Sequence, residues 1–203
     1  MSIRTDTSVD VGVLRREIEK TYTEVSTEPG RDFIFPTGRA WAQELGYPEP
    51  ELAQVPDDSA ASFAGVANHW QHGAIMAGET VLDLGCGAGS DLLIAAQMTG
   101  PAGRAIGIDM TTSMLDRARA SAEAMGLDNV ELHESLIEAL PLEVESVDVV
   151  ISNGVIDLVP DKEAVFTEID RVLRPGGRVQ LADVIVRHEV SEDARKRIDL
   201  WTG

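Results

Sequence analysis

Basic residues and cysteine are what this chain is short of. Its 203 residues carry 17 Lys and Arg against 35 Asp and Glu, a formal net charge of −18. A nucleic-acid binder needs a basic face to neutralise phosphates, and attraction to anionic lipid needs one too, so this balance argues against both partners. Only Lys20, Lys162 and Lys196 are lysines, so the positive charge is mostly arginine. Cys86 is the single cysteine, which excludes an intrachain disulfide and cannot alone build a thiolate metal cage. Long apolar runs are missing as well. No stretch of about eighteen apolar residues occurs, and the opening M-S-I-R-T-D-T-S has no signal-peptide core, so a cytoplasmic location is expected. What remains, 43% apolar and 26% charged residues, suits one globular domain with a modest extension and a sizeable core.

Residues 10 to 26 place Val11, Leu14, Ile18, Tyr22 and Val25 at three- and four-residue spacings, which predicts an amphipathic helix that packs on something. Pro29, Gly30, Pro36 and Gly38 then mark a loop before a short helix at 40–45, and Pro48, Pro50 and Pro56 predict an irregular stretch over 47–60. Residues 1–60 read as an N-terminal helical extension or cap and 61–203 as the main domain. From residue 80 the pattern turns regular: strand 80–84, helix 90–99, strand 104–109, helix 112–125, strand 129–133, strand 147–152, helix 161–173 and strand 177–186. Such alternation predicts an α/β fold, a Rossmann-like, mostly parallel sheet with helices on both faces. Ligands of these sheets bind beyond the carboxyl ends of the strands, which gathers Gly85–Gly89, Asp109, Leu136–Glu138 and Asn153 around one crevice.

The first strand runs straight into glycines: V-L-D-L-G-C-G-A-G over 81–89. A strand, a glycine turn and a helix start make a nucleotide-type site, and two cofactor classes compete for it. A dinucleotide turn wants glycines at its first, third and sixth positions, whereas here Gly85, Gly87 and Gly89 are followed by Ser90 at the sixth. Asp83 adds a negative charge that would repel a pyrophosphate and attract an ammonium group. A cofactor with an amino-acid end, S-adenosylmethionine, therefore fits better than a nicotinamide dinucleotide. Asp109, at the end of the second strand, is placed to accept from two ribose hydroxyls or, alternatively, to cap the next helix. Met110 would lie against adenine or fill the core. Cys86 is a small residue inside the cofactor turn.

These stretches, together with L-P at 140–141, V-D-V-V-I-S-N at 147–153 and L-R-P-G-G at 173–177, resemble the class I S-adenosylmethionine-dependent methyltransferases. More narrowly, L-G-Y-P-E-P-E-L, G-P-A-G-R-A-I-G-I-D-M-T and I-S-N-G-V-I-D-L-V-P-D-K resemble the arsenite methyltransferase branch. The resemblance implies an enzyme transferring a methyl group from S-adenosylmethionine to a small-molecule acceptor. A non-catalytic S-adenosylmethionine-binding protein and a nicotinamide-dependent oxidoreductase are the alternatives. Two departures stand out. The branch holds trivalent arsenic with cysteines at the places occupied here by Val66 and Gly154, so another acceptor is expected. Where the family commonly carries an acid for the adenine amino group, this chain has Leu136, leaving the Ile137 amide or the Glu138 carboxylate for that role.

His69 and His72, in N-H-W-Q-H-G, precede the first strand; His69 is the candidate general base, with hydrogen-bonded or exposed histidines as the other reading. Asn153 touches cofactor or acceptor, or serves only its own turn. The family's sheet has seven strands and only five are countable, so the fold reads as shortened after strand five. Its fifth strand, R-V-Q-L-A-D-V-I-V, would then be an open apolar edge suited to a homodimer.

Overall fold

The computed structural model describes residues 10–185 and 187. Five parallel strands form one sheet: β1 (Thr80–Leu84), β2 (Arg104–Asp109), β3 (Val130–Glu134), β4 (Val147–Asn153) and β5 (Leu173–Ala182), in the order β3-β2-β1-β4-β5. The order reverses between β1 and β4, so a cleft opens where their carboxyl ends part. Every residue of β1 is buried, because a central parallel strand is covered on both faces. Leu82, Leu84, Val150 and Val165 belong to the core on one side; Val81, Leu92, Ala105 and Val149 belong to that on the other. Truncating a side chain such as Leu82 to alanine costs about 2–5 kcal/mol at sites of this kind.

Preceding the sheet are four helices: α1 (Val11–Thr27), α2 (Arg39–Glu44), α3 (Glu49–Leu52) and α4 (Asp57–Ala61). Among the described residues the other α-helices are α5 (Ser90–Thr99), α6 (Thr112–Met125) and α7 (Lys162–Val172). The Asp10 carboxylate caps α1 by accepting from the Val13 amide at 2.9 Å. Leu14, Ile18 and Val25 are buried as their spacing predicts. What they pack on is the site itself, for Leu14 and Ile18 meet Met110 and Leu158 from two different loops of the cleft, while Val25 meets Ala88 and Met114.

Two expectations need correcting. The segment 47–60 is not irregular: its prolines start helices instead of breaking them, Pro48 and Pro56 at the caps of α3 and α4 and Pro50 inside the first turn of α3. A first turn has no amide partner to lose and welcomes the fixed proline φ. The fifth strand lies earlier than expected, ending at Ala182 instead of residue 186, which lies outside the described residues. Leu173 already pairs with Val147 directly after α7, and pairing resumes at Arg178 opposite Val149, with the Pro175–Gly177 turn displaced as a bulge. Among the described residues β5 is a sheet edge with Val179 45% exposed, and no helix is long and apolar enough to cross a membrane.

Candidate active site

The cleft at the reversal point encloses about 1040 Å³, part of it open to solvent. The three glycines of the turn all adopt positive φ: 68° at Gly85, 52° at Gly87 and 91° at Gly89. Their surroundings give them different duties. A Cβ on Gly85 would stand 2.5 Å from Val155, and one on Gly89 2.9 Å from Ala118, so these two are glycine because other elements press on them. At Gly87 the nearest atom to such a Cβ is the Met114 sulfur at 3.9 Å, and that position faces the cleft. Gly89, expected in the cofactor site, caps α5 instead and does not line the cleft; its contribution is to let α5 and α6 meet.

Asp109 fixes this turn. Its carboxylate accepts from the Gly87 amide at 2.9 Å and the Thr111 amide at 2.8 Å, and it lines the cleft. The carboxylate braces the approach to α6, whose N-cap is Thr111, while lining the cleft. Burial pushes its carboxyl up, against the lowering effect of those amides.

Asp83 is 3% exposed, and its Oδ2 has no hydrogen-bond partner. Desolvation first, then the charges of Asp91 and Asp109, push its carboxyl well above the usual carboxylate range. An unpartnered buried carboxylate oxygen costs free energy until a donor reaches it. Three aspartates thus line one end of the cleft, while the one cation among its lining residues, Arg15, is engaged with Glu138 at 2.9 Å. An ammonium or sulfonium group relieves that field; a pyrophosphate would worsen it. The donor set accordingly fits a cofactor carrying an ammonium group.

Cys86 lies in the turn with its thiol pushed up by burial and by the Asp109 and Asp83 charges, so it remains a neutral thiol. Met110 lines the cleft and also packs on α1. Ile137 and Glu138 line the far end.

His69 is the clearest correction. It is 0% exposed and does not line the cleft. Its Nε2 lies 3.3 Å from Asp91 Oδ1 in a geometry that makes no hydrogen bond, and its ring packs on Trp70 with centroids 4.4 Å apart. A group without access to the reacting atoms is not their base. Within the surrounding 3₁₀ turn, His69–His72, only His69 is buried, Trp70 packs against the core and His72 is exposed, and no group of three or more His, Cys, Asp or Glu among the described residues is placed to hold a metal.

Asn153 lines the cleft, yet its amide is occupied. Its Oδ1 accepts from the Val66 amide at 2.7 Å, and its Nδ2 donates to the Tyr47 hydroxyl at 2.7 Å and the Ala67 carbonyl at 2.9 Å. Sequence reasoning missed Tyr47, Asp91, Arg15 and Tyr22. The period of α1 gave a signal for Tyr22; nothing local marks the others, because their partners come from distant segments.

Beyond β4 the 3₁₀ turn Ile156–Leu158 carries Asp157, whose carboxyl is pushed up to about 7, by burial first and then by Asp183.

A methyltransferase domain family matches residues 75–202, and the chain belongs to it: it is a class I S-adenosylmethionine-dependent methyltransferase domain. Its similarities fall in the arsenite methyltransferase branch. The arsenite methyltransferase of Halobacterium salinarum is 42% identical over 167 residues, 82% of this chain and 42% of that protein. The human arsenite methyltransferase is 38% identical, over 60% of this chain and 35% of its own length. The crystal structure of an arsenic(III) S-adenosylmethionine methyltransferase from Chlamydomonas reinhardtii matches with a TM-score of 0.66 at 36% identity, covering 78% of this chain and 52% of that one. The chain thus spans 35–52% of the length of these relatives.

Proposed function

We propose that this domain binds S-adenosylmethionine in the cleft and transfers its methyl group to a small-molecule acceptor other than trivalent arsenic. The observation that carries the reading is the unpartnered Oδ2 of Asp83 beside two further carboxylates. The cofactor supplies a sulfonium methyl group, which an acceptor lone pair takes in line as the carbon–sulfur bond breaks. Asp83 would hold the ammonium group and Asp109 the ribose hydroxyls, with Gly87 giving the backbone room to approach. Met110, Ile137 and Glu138 would flank the adenine. Alignment and exclusion of water supply the rate: positioning of this type lowers barriers by on the order of 7–11 kcal/mol, more than a general base. Helix α1, lying across the cleft through Ile18 and Tyr22, would shield the reaction as part of the N-terminal cap.

The acceptor reading rests on Val66 and Gly154. The two positions adjoin in space, a Cβ on Gly154 falling 2.9 Å from Val66 Cγ1, and neither offers a thiolate. Pairing of a second copy along β5 belongs to the same proposal, and a monomer by light scattering at tens of micromolar would contradict it.

Calorimetry tests the cofactor. S-adenosylhomocysteine should bind and NAD should not, and Asp109→Ala should weaken the binding by roughly 1.5–3 kcal/mol, the scale of charge-assisted hydrogen bonds. Tight NAD binding, or an indifferent Asp109→Ala, would overturn the reading.

A further inference from the structure

A buried hydrogen-bonded chain runs behind the cleft, from Asp91 through Tyr47 to Asn153 and the loop that Asn153 holds. Asp91, in the first turn of α5 and 8% exposed, lies beside Asp83, whose carboxyl its charge pushes up. Asp91 accepts from the Tyr47 hydroxyl at 3.0 Å, and from the Trp70 indole at 3.1 Å. Tyr47, 3% exposed, accepts from Asn153 at 2.7 Å. Asn153 in turn holds the backbone of Val66 and Ala67. The loop Phe63–Ala67 has few bonds of its own. Trp41 donates to the Gly65 carbonyl at 2.7 Å, the Gly38 amide to that of Phe63 at 2.8 Å and the Phe63 amide to that of Ala60 at 3.2 Å, and Asn153 holds Val66 and Ala67. It is also fitted tightly, for a Cβ on Gly65 would meet Asn153 at 2.5 Å. Phe63, Ala64 and Gly65 form a wall of the cleft.

Resting on the cofactor reading above, we propose that Tyr47 is a positioning residue linking the two ends of the cleft: through Asp91 and Asn153 it makes the wall Phe63–Ala67 stiffen when the cofactor end is filled. A cation at Asp83 offsets the repulsion between Asp83 and Asp91 and leaves Asp91 a settled acceptor for the Tyr47 hydroxyl. The hydroxyl stays protonated and able to donate, because burial and the Asp91 charge push its pKa up. Polarisation along hydrogen bonds in series carries the effect to Asn153. Cofactor and acceptor then each raise the other's affinity, since each stabilises the same ordered wall and such coupling is reciprocal.

Amide hydrogen exchange of Val66 and Ala67 reads this directly. Saturating S-adenosylhomocysteine should slow both in the wild-type protein by about tenfold. In Tyr47→Phe, which keeps the ring against Phe63 but removes the hydroxyl, the ligand should bind within about threefold of wild type while the added protection disappears. Where that variant does not fold, Asn153→Asp cuts the same link, keeping an acceptor for the two amides and losing the donor to Tyr47. Undiminished protection in the variant, or none in the wild type with ligand bound, overturns the coupling. Failure of the wild type to bind at all overturns the cofactor reading instead.

Discussion

Arg15, in the second turn of the first helix, and Glu138, beyond the third strand, stand 123 positions apart in the sequence and 2.9 Å apart in space. Their ion pair fastens an amphipathic helix across the mouth of a cleft whose floor is made by β1 and β4. Glu138 thus lines the cleft and holds the helix over it at once.

Being partly exposed, at 39% for Arg15 and 13% for Glu138, the pair should contribute about 0.2–1 kcal/mol. A double-mutant cycle with Arg15→Ala and Glu138→Ala in urea unfolding should give a coupling of that size, shrinking at high salt. A coupling above the range, or one indifferent to salt, contradicts this account of α1.

The glycines of the turn should separate by assay. Gly89→Ala combines a left-handed backbone, worth about 1–2 kcal/mol, with overpacking against Ala118 worth about 1–3 kcal/mol more. Gly87→Ala carries only the backbone cost, since nothing crowds it, but it places a methyl group in the ligand space. Unfolding measurements should therefore rank Gly89→Ala as the more damaging and binding measurements should rank Gly87→Ala so. The same order in both assays would refute the division.

Asp157 makes stability depend on pH in an unusual direction. Folding raises its carboxyl from the usual 3.8 to about 7, through burial and the neighbouring Asp183, with Lys162 opposing. The native state keeps a proton that the unfolded chain releases in this window, so this contribution to stability is present at pH 4 and lost as pH rises towards 7. Asp157→Asn should raise the melting temperature at pH 8 more than at pH 4. A gap that is constant or larger at low pH would show that the carboxyl is not held protonated.

Arsenite methylation should be absent or very slow in the purified chain, and Cys86, a buried neutral thiol, should not rescue it. Val66→Cys together with Gly154→Cys should create affinity for trivalent arsenic, at a stability cost of about 1–2 kcal/mol because position 154 has a φ of 68°. Mass spectrometry of methylated arsenic from the unaltered chain decides the first part, and robust product would show the acceptor site to be misread.

The sequence by itself determined whatever is periodic or local. Continuous apolar runs and helical spacings specify β1, β2, α5 and α6 to the residue, since those patterns follow from strand and helix geometry alone. The placement of Asp83 and Asp109 in one cleft was legible too, because the carboxyl ends of neighbouring parallel strands open at the same edge of the sheet. Tertiary structure alone decided matters that depend on distant partners. The prolines of 48–56 start helices because tertiary packing selects among the conformations proline allows. His69 reads as a base in sequence and is packing in space, since burial is set by what folds over it. Gly89 is a glycine for Ala118's sake and Asn153 an asparagine for the sake of Val66 and Ala67, 87 and 86 positions away. Contacts over such separations leave no local pattern, and they exist only once the sheet has brought its strand ends together.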